Sequence, residues 1–281
     1  MKISVTADST CDLSPELLSE YGITLMPLTI VKDGVAYLDT VNITASDIFS
    51  HVDAGGDLCS TTAANIGEYA DFFAQQLTQC DAVIHISLGS GFSSCYQNAA
   101  LAAQEFDTVR VIDSRNLSTG HGLVVLKAAQ LVKDGGDPDE IKKQLDDFTP
   151  RVESSFLLDQ LKYMVKGGRC SSVAALGANL LNLKPCIEVR DGKMSVVKKY
   201  RGSYAKCLSA YVKDRLADRD DIDRDILFVT NTPVTDECYS SVMDAVEACG
   251  NFRVTYKTVA GCTVSCHCGP GTLGVLFVRN K

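Results

Sequence analysis

The chain has 281 residues, 46% of them apolar, which suits one large or two modest α/β domains with a sizeable core. Lysine and arginine total 27 against 35 acidic residues, a formal net charge of −8, so a nucleic-acid backbone is disfavoured as a partner. No apolar run approaches the roughly eighteen residues of a membrane span.

The opening MKISVTADST turns polar by residue 7, so no export leader is expected. Its ISVTAD segment alternates as a strand ending at Asp8. SPELLSEYG reads as a capped helix closed by Gly22. LTIVKDGVAYLD places β-branched residues on both sides of Asp33-Gly34, a hairpin signal. IGEYADFFAQQLTQ carries Ile66, Tyr69, Phe72, Phe73 and Leu77 at helical spacing. Strand AVIHI, turn SLGSGFSS and helix YQNAALAAQEF follow, then strand VRVID and the long helix GLVVLKAAQLVKDGG. Strands separated by helices predict a parallel sheet with right-handed crossovers.

After the charged helix DEIKKQLDDF the texture changes, and a boundary is expected near residues 148–155. IEVRDGKMSVVKKY is a second Asp-Gly hairpin and implies antiparallel pairing. Helix YAKCLSAYVKDRLA, strand DILFVTN, helix ECYSSVMDAVEACG and strands RVTYKTVAG and TLGVLFVR complete the chain. The expected fold is α/β in two domains: a three-layer parallel-sheet domain over 1–150 and a mixed-sheet α/β domain over 151–281.

Polar turns at the C-terminal ends of parallel strands are where such sheets bind ligands. SLGSGFSS, from Ser87 to Ser94, opens a helix whose first amides have no intrahelical partner, so an anion suits it. Ser60, Thr61 and Thr62 form a second hydroxyl cluster and read as N-cap candidates. DSRNLSTGHG is a third polar turn. KGGRCSS sets Lys166 and Arg169 around a Gly-Gly pair before a helix, and CHCGPGTLG sets His267 before a rigid turn.

Taken in order, these motifs resemble the DegV family, which includes the fatty-acid-binding subunits of bacterial fatty-acid kinase. The resemblance runs from ADSTCDL through CSTTAANIGEY, SGFSSCYQNA, DSRNLSTGHG and YMVKGGRCSSVAALGANLLNLKP to GPGTLGVLF, nearly the whole chain. It implies a long-chain fatty acid in a tunnel between two domains, with no other cofactor. By motif match Thr61, Thr62, Ser93 and Ser94 meet the carboxylate, His267 lies beside it, and Arg169 and Arg201 serve a partner kinase or the acyl phosphate. The implied role is carriage rather than catalysis, with the partner supplying ATP and metal. Departures from the family pattern are Ala63-Ala64 in place of Gln-Pro, Ser94 in place of glycine, Cys95 in place of threonine and Cys268 in place of a polar residue.

Rival readings are weaker. GFSSC approaches the nucleophile elbow G-x-S-x-G without its last glycine; Ser93, His267 and Asp113 form a triad on paper only. A serine hydrolase, or a lipid sensor using the same pocket, is the runner-up. No G-x-x-x-x-G-K-[ST] loop occurs. Zinc at CTVSCHC is disfavoured because neighbouring side chains on a strand point to opposite faces. His85 reads as a core histidine, His51 as a helix-end residue and His121 as a turn residue. The twelve cysteines read as reduced thiols in a cytoplasmic protein, with transient contact to a membrane surface left open.

Overall fold

The computed structural model describes residues 1–175 and 183–280. Strand β1 (Ile3–Asp8) leads through a 3-10 turn at Ser9–Cys11 to α1 (Pro15–Tyr21). The Ser14 hydroxyl accepts the Leu17 amide, and Gly22 closes the helix at φ 62°, a conformation without Cβ penalty only for glycine. Next come β2 (Thr24–Met26), β3 (Thr29–Lys32) and β4 (Val35–Leu38). Asp33 and Gly34 join the last two with φ of 50° and 75°, as a two-residue hairpin requires.

Helix α2 (Ala45–Asp53) precedes β5 (Ser60–Thr62) and α3 (Ile66–Leu77). The hydroxyl run expected to cap a helix is therefore an edge strand, paired antiparallel with β3 so that Thr61 lies opposite Ile30. The cap of α3 is Asn65, completed by Glu68 in a reciprocal capping box. Hydroxyl side chains satisfy either role locally; the backbone partners offered by β3 decide it.

Strand β6 (Ala82–Ser87), α4 (Cys95–Ala102), β7 (Val109–Asp113), α5 (Ser118–Lys133) and α6 (Pro138–Phe148) complete the first half. The parallel sheet has the order β2-β1-β6-β7. Successive β6 residues serve opposite layers. Val83 packs with Tyr69, Phe73 and Ala99 of α3 and α4; Ile84 and Ile86 pack with Val124 and Ala128 of α5.

The second half runs β8 (Val152–Leu157), α7 (Lys162–Gly167), α8 (Ser171–Ala174), β9 (Leu183–Arg190), β10 (Lys193–Arg201), α9 (Tyr204–Leu216), β11 (Ile222–Asn231), α10 (Asp236–Ala248), β12 (Val254–Val259), α11 (Cys262–Cys268) and β13 (Leu273–Arg279). Its mixed sheet has the order β10-β9-β8-β13-β11-β12, in which only β11 and β12 pair in parallel. Asp191 and Gly192 turn the β9–β10 hairpin with φ of 49° and 71°. Leu208, Tyr211 and Val242 of α9 and α10 cover one face.

The other face of this sheet meets α5. Val152, Phe228, Leu276 and Val278 share a cluster with Leu123, Val124 and the inner side chains of β1 and β6. Helix α5 is thus clasped between the two sheets, which explains why GLVVLKAAQLV is apolar almost all round. Gly122 lets α5 pack against the turn after β1: a Cβ there would lie 2.7 Å from the Cys11 carbonyl.

Two sequence expectations change here. CTVSCHC is helical, not extended, so Cys262 and Cys266 lie one turn apart on one face. The residue pattern lacks a clear period over seven positions, too short to separate the two cases. His121 lies in the first turn of α5 and is fully buried, its Nε2 2.9 Å from the Ile86 carbonyl. His51 does end α2 and sits 3.3 Å from Asp33. His85 is buried, with Nδ1 2.9 Å from the Thr6 hydroxyl.

Candidate functional site

A cavity of about 340 Å³ opens where β5, the β6–α4 turn, α7, β10 and α11 converge. Thr61, Thr62, Ser93, Ser94, Arg169 and His267 all line it. Arg201 does not; it ends β10 as an exposed residue. Of the block 163–185, residues 176–182 lie outside the described part of the chain.

The β6–α4 turn is pinned at its root. Asp8, at the end of β1, accepts the Ser87 hydroxyl at 2.8 Å and the Leu88 amide at 2.7 Å on one oxygen. Its other oxygen accepts Tyr69 at 2.6 Å and lies 3.3 Å from His85 Nε2. Burial works to raise the Asp8 carboxyl, but His85 and Tyr69 together hold it below the usual carboxylate range. Farther along, Ser90 donates from its amide and hydroxyl to Asp113, and the Gly89 amide donates to the Asn116 carbonyl at 2.9 Å. The turn then delivers Ser93, whose hydroxyl accepts the Cys95 amide at 3.3 Å. Ser94 occupies the position before α4 without capping it, so its hydroxyl is unspent at a helix N-terminus.

Opposite stands α11, which is held by carboxylates from the other end of the chain. Asp39 accepts the Cys262 and Thr263 amides at 3.0 and 3.2 Å and the Thr263 hydroxyl at 2.7 Å. Asp12 accepts the Gly261 amide at 2.9 Å and the Ser118 hydroxyl at 2.6 Å. Burial raises the Asp12 carboxyl to about 7.

His267 projects from α11 with Nε2 2.9 Å from the Thr61 hydroxyl oxygen. Burial, with a smaller contribution from the Arg169 charge, lowers its pKa to about 4, so the ring is neutral at pH 7. Nδ1 is buried without a partner. An unpaired N–H costs more than an unpaired lone pair, which assigns the proton to Nε2. His267 then donates to Thr61, and the Thr61 O–H is released toward the cavity. Gly167 lies directly behind the ring, leaving no room for a Cβ. Arg169 donates to the Gly167 carbonyl at 2.6 Å.

The rest of the wall is mainly apolar: Leu28, Leu88, Phe92, Met164, Met194 and Val264, from five separate segments. Sequence reasoning named none of them, because each looks like ordinary core. Thr10 and Thr263 also line the cavity; Thr10 lies in the ADSTCDL motif, whose resemblance was the only signal for it.

Hydrolytic machinery is not assembled among the described residues. Ser93 lies against Cys95, at 3.0 Å from its sulfur, while Asp113 is occupied by Ser90 and Arg115. No group of three or more His, Cys, Asp or Glu is placed to hold a metal ion among the described residues. All twelve cysteines are free, and burial raises Cys262 and Cys268 to about 12, so both stay protonated. No described helix is long and apolar enough to cross a membrane.

A family model described as "Uncharacterised protein, DegV family" matches residues 2–280. A DegV domain-containing protein of Caldanaerobacter subterraneus subsp. tengcongensis is 31% identical over 280 residues, covering 98% of each chain. One from Deinococcus radiodurans is 32% identical over 282 residues, again covering 98% of each. Among solved structures, a DegV family protein from Thermus thermophilus, described for its fatty-acid binding, superposes with a TM-score of 0.88 at 26% identity, covering 99% of this chain and 100% of its own. DegV of Bacillus subtilis, described as a fatty acid binding protein, gives 0.81 at 25% identity over all of both chains.

Proposed function

The chain belongs to the DegV family, and on that premise we propose that it binds a long-chain fatty acid in the cavity and carries it rather than transforms it. One observation carries the reading: a largely apolar chamber is lined by the hydroxyls of Thr61, Thr62, Ser93 and Ser94, and Thr61 is aimed into it by His267 from the other half of the chain. A volume of about 340 Å³ falls in the range of small-molecule sites. Burying about fifteen methylenes at roughly 0.8 kcal/mol each favours binding by on the order of 12 kcal/mol before association costs. Hydrogen bonds to the ionised head contribute roughly 1.5–3 kcal/mol each and reject esters, which lack the charge. The tail sets affinity; Thr61, Thr62, Ser93, Ser94 and His267 set position.

The proposed division at residue 150 puts Ser93 and Thr61 in the first unit and His267, which positions Thr61, in the second. Arg169, at the cavity wall, and Arg201, exposed beyond it, are proposed to meet a partner fatty-acid kinase in the cytoplasm. Organic extraction of purified protein and mass spectrometry test the core reading. Fatty acid should be recovered near one equivalent from wild type and fall at least about tenfold in Thr61→Ala/Ser93→Ala. Full occupancy in that double variant contradicts the site. Arg201→Glu should abolish kinase-dependent acyl-phosphate formation with lipid occupancy intact.

A further inference from the structure

A second crevice, of about 310 Å³, lies on the far side of the β9–β10 hairpin tip. Buried Asn116 and Glu188 and partly buried Glu153 line it; Arg115, Arg190 and Arg279 stand around it with Asp191. Unlike the acyl cavity, it is walled chiefly by charged and polar side chains.

The balance of spent and unspent hydrogen-bonding groups decides what it suits. Glu188 is saturated, by Arg190 at 2.8 Å on one oxygen and by Arg215 at 2.7 Å on the other. Glu153 is held by Arg215 and by Arg219, the latter reaching both of its oxygens at 2.8 and 3.0 Å. Arg215 and Arg219, outside the crevice lining, thus neutralise much of the carboxylate charge that lines it. The cations are underused. The Arg115 side chain makes no hydrogen bond or ion pair among the described residues, and Arg190 has Glu188 alone. Arg279 gives one N–H to the Pro150 carbonyl and stands 3.9 Å from Glu153. Asn116 is 3% exposed, and its Oδ1 has no partner. The Arg115 backbone is left-handed at φ 47°, a conformation that costs a residue with a Cβ about 1 kcal/mol. Of the three carboxylates lining the crevice, Asp191 alone has no arginine partner among the described residues, so it opposes an anion most directly.

Three underused guanidinium groups around one crevice match a phosphate, and a volume of about 310 Å³ leaves room for a small body attached to it. We infer that this crevice is a second binding site, for a small phosphate monoester. Its walls adjoin the acyl site: the Gly192 carbonyl lies against Gly91 of the Ser93 turn, and Asn116 holds Gly89.

Titration calorimetry of the full chain with glycerol 3-phosphate as probe, in about 0.15 M salt, tests this. One saturable site is expected. Arg115→Ala should weaken it about tenfold, and Asp191→Asn, which removes the opposing charge at a turn position asparagine tolerates, should tighten it about threefold. Inorganic phosphate, without a body to fill the rest of the crevice, should bind more weakly. Lipid occupancy in Arg115→Ala should be unchanged, so the result stands apart from the acyl site. No saturable binding, equal affinity in Arg115→Ala, no gain in Asp191→Asn, or inorganic phosphate binding as tightly as the ester would each overturn the assignment.

Discussion

At the scale of single residues, the site depends on a histidine kept neutral and aimed. Its aim rests on Gly167, because a Cβ there would overlap the His267 ring and push it from Thr61. Gly167→Ala should therefore lower fatty-acid retention about tenfold while changing the melting temperature little, since alanine favours the end of α7. Extraction with mass spectrometry beside thermal unfolding checks both halves of that statement. Neutrality has a pH signature as well. His267 and His121 are both held near 4 in the folded protein, chiefly by burial, against about 6.5 unfolded. Between those values the unfolded chain binds protons that the folded chain refuses. Their contribution is full above pH 6.5 and is lost as pH falls toward 4, at up to about 1.4 kcal/mol per unit for each ring. Urea midpoints across that window should drop, and should drop less in His121→Gln than in wild type. An unchanged slope would mean that the buried ring does not titrate as assigned.

At the scale of elements, α11 shows what a sequence reveals and what it withholds. It has seven residues, too few for a stable helix alone. Its first amides are satisfied from residues 39 and 12, more than 220 positions away. No local pattern announces that, so CTVSCHC read as extended; β5 was misread for the same reason, its partner β3 being nearly thirty residues upstream. The hairpins at Asp33-Gly34 and Asp191-Gly192, the capped α1 and the periodic α3 were legible because their causes are local. The hydroxyls and His267 were legible through motif order, and the apolar wall was not, because its members come from scattered segments. The two carboxylates give opposed predictions. Asp39→Ala strips partners from two amides and two hydroxyls and should cost about 3 kcal/mol in denaturant unfolding and loosen lipid retention. Asp12 differs because burial raises it to about 7 folded, against 3.8 as the ordinary value. Here the folded state holds the proton, so stability falls as pH rises from about 4 to 7. Asp12→Asn, which still accepts the Gly261 amide, should gain on wild type across that range by up to about 1.4 kcal/mol per unit. A constant difference between the two proteins would show that Asp12 is ionised throughout.

At the scale of the whole molecule, the decisive element is α5. The expectation of two folding units follows from a parallel sheet before residue 150 and a mixed sheet after it. Yet each sheet uses the same helix as cover: Ile84 and Ile86 lie on one side of it, Phe228 and Leu276 on the other. Removing the mixed sheet would expose the outer face of α5, and removing α5 would uncover an apolar face of the mixed sheet. A helix hydrophobic on both sides is stable only while both are covered. The Thr119 hydroxyl of α5 also joins Thr230 at 2.5 Å, which in turn meets Thr258 at 2.8 Å, so separation would strand buried polar groups as well. Neither sheet should therefore melt first. Calorimetry should record one transition whose van't Hoff and calorimetric enthalpies agree. Leu276→Ala, on the mixed sheet, should lower that single midpoint through a loss of about 2–5 kcal/mol and not split it. Two resolved transitions, with the mutation shifting only one, would mean that α5 belongs energetically to a single sheet. The cavity would then lie at a movable joint rather than in a rigid wall.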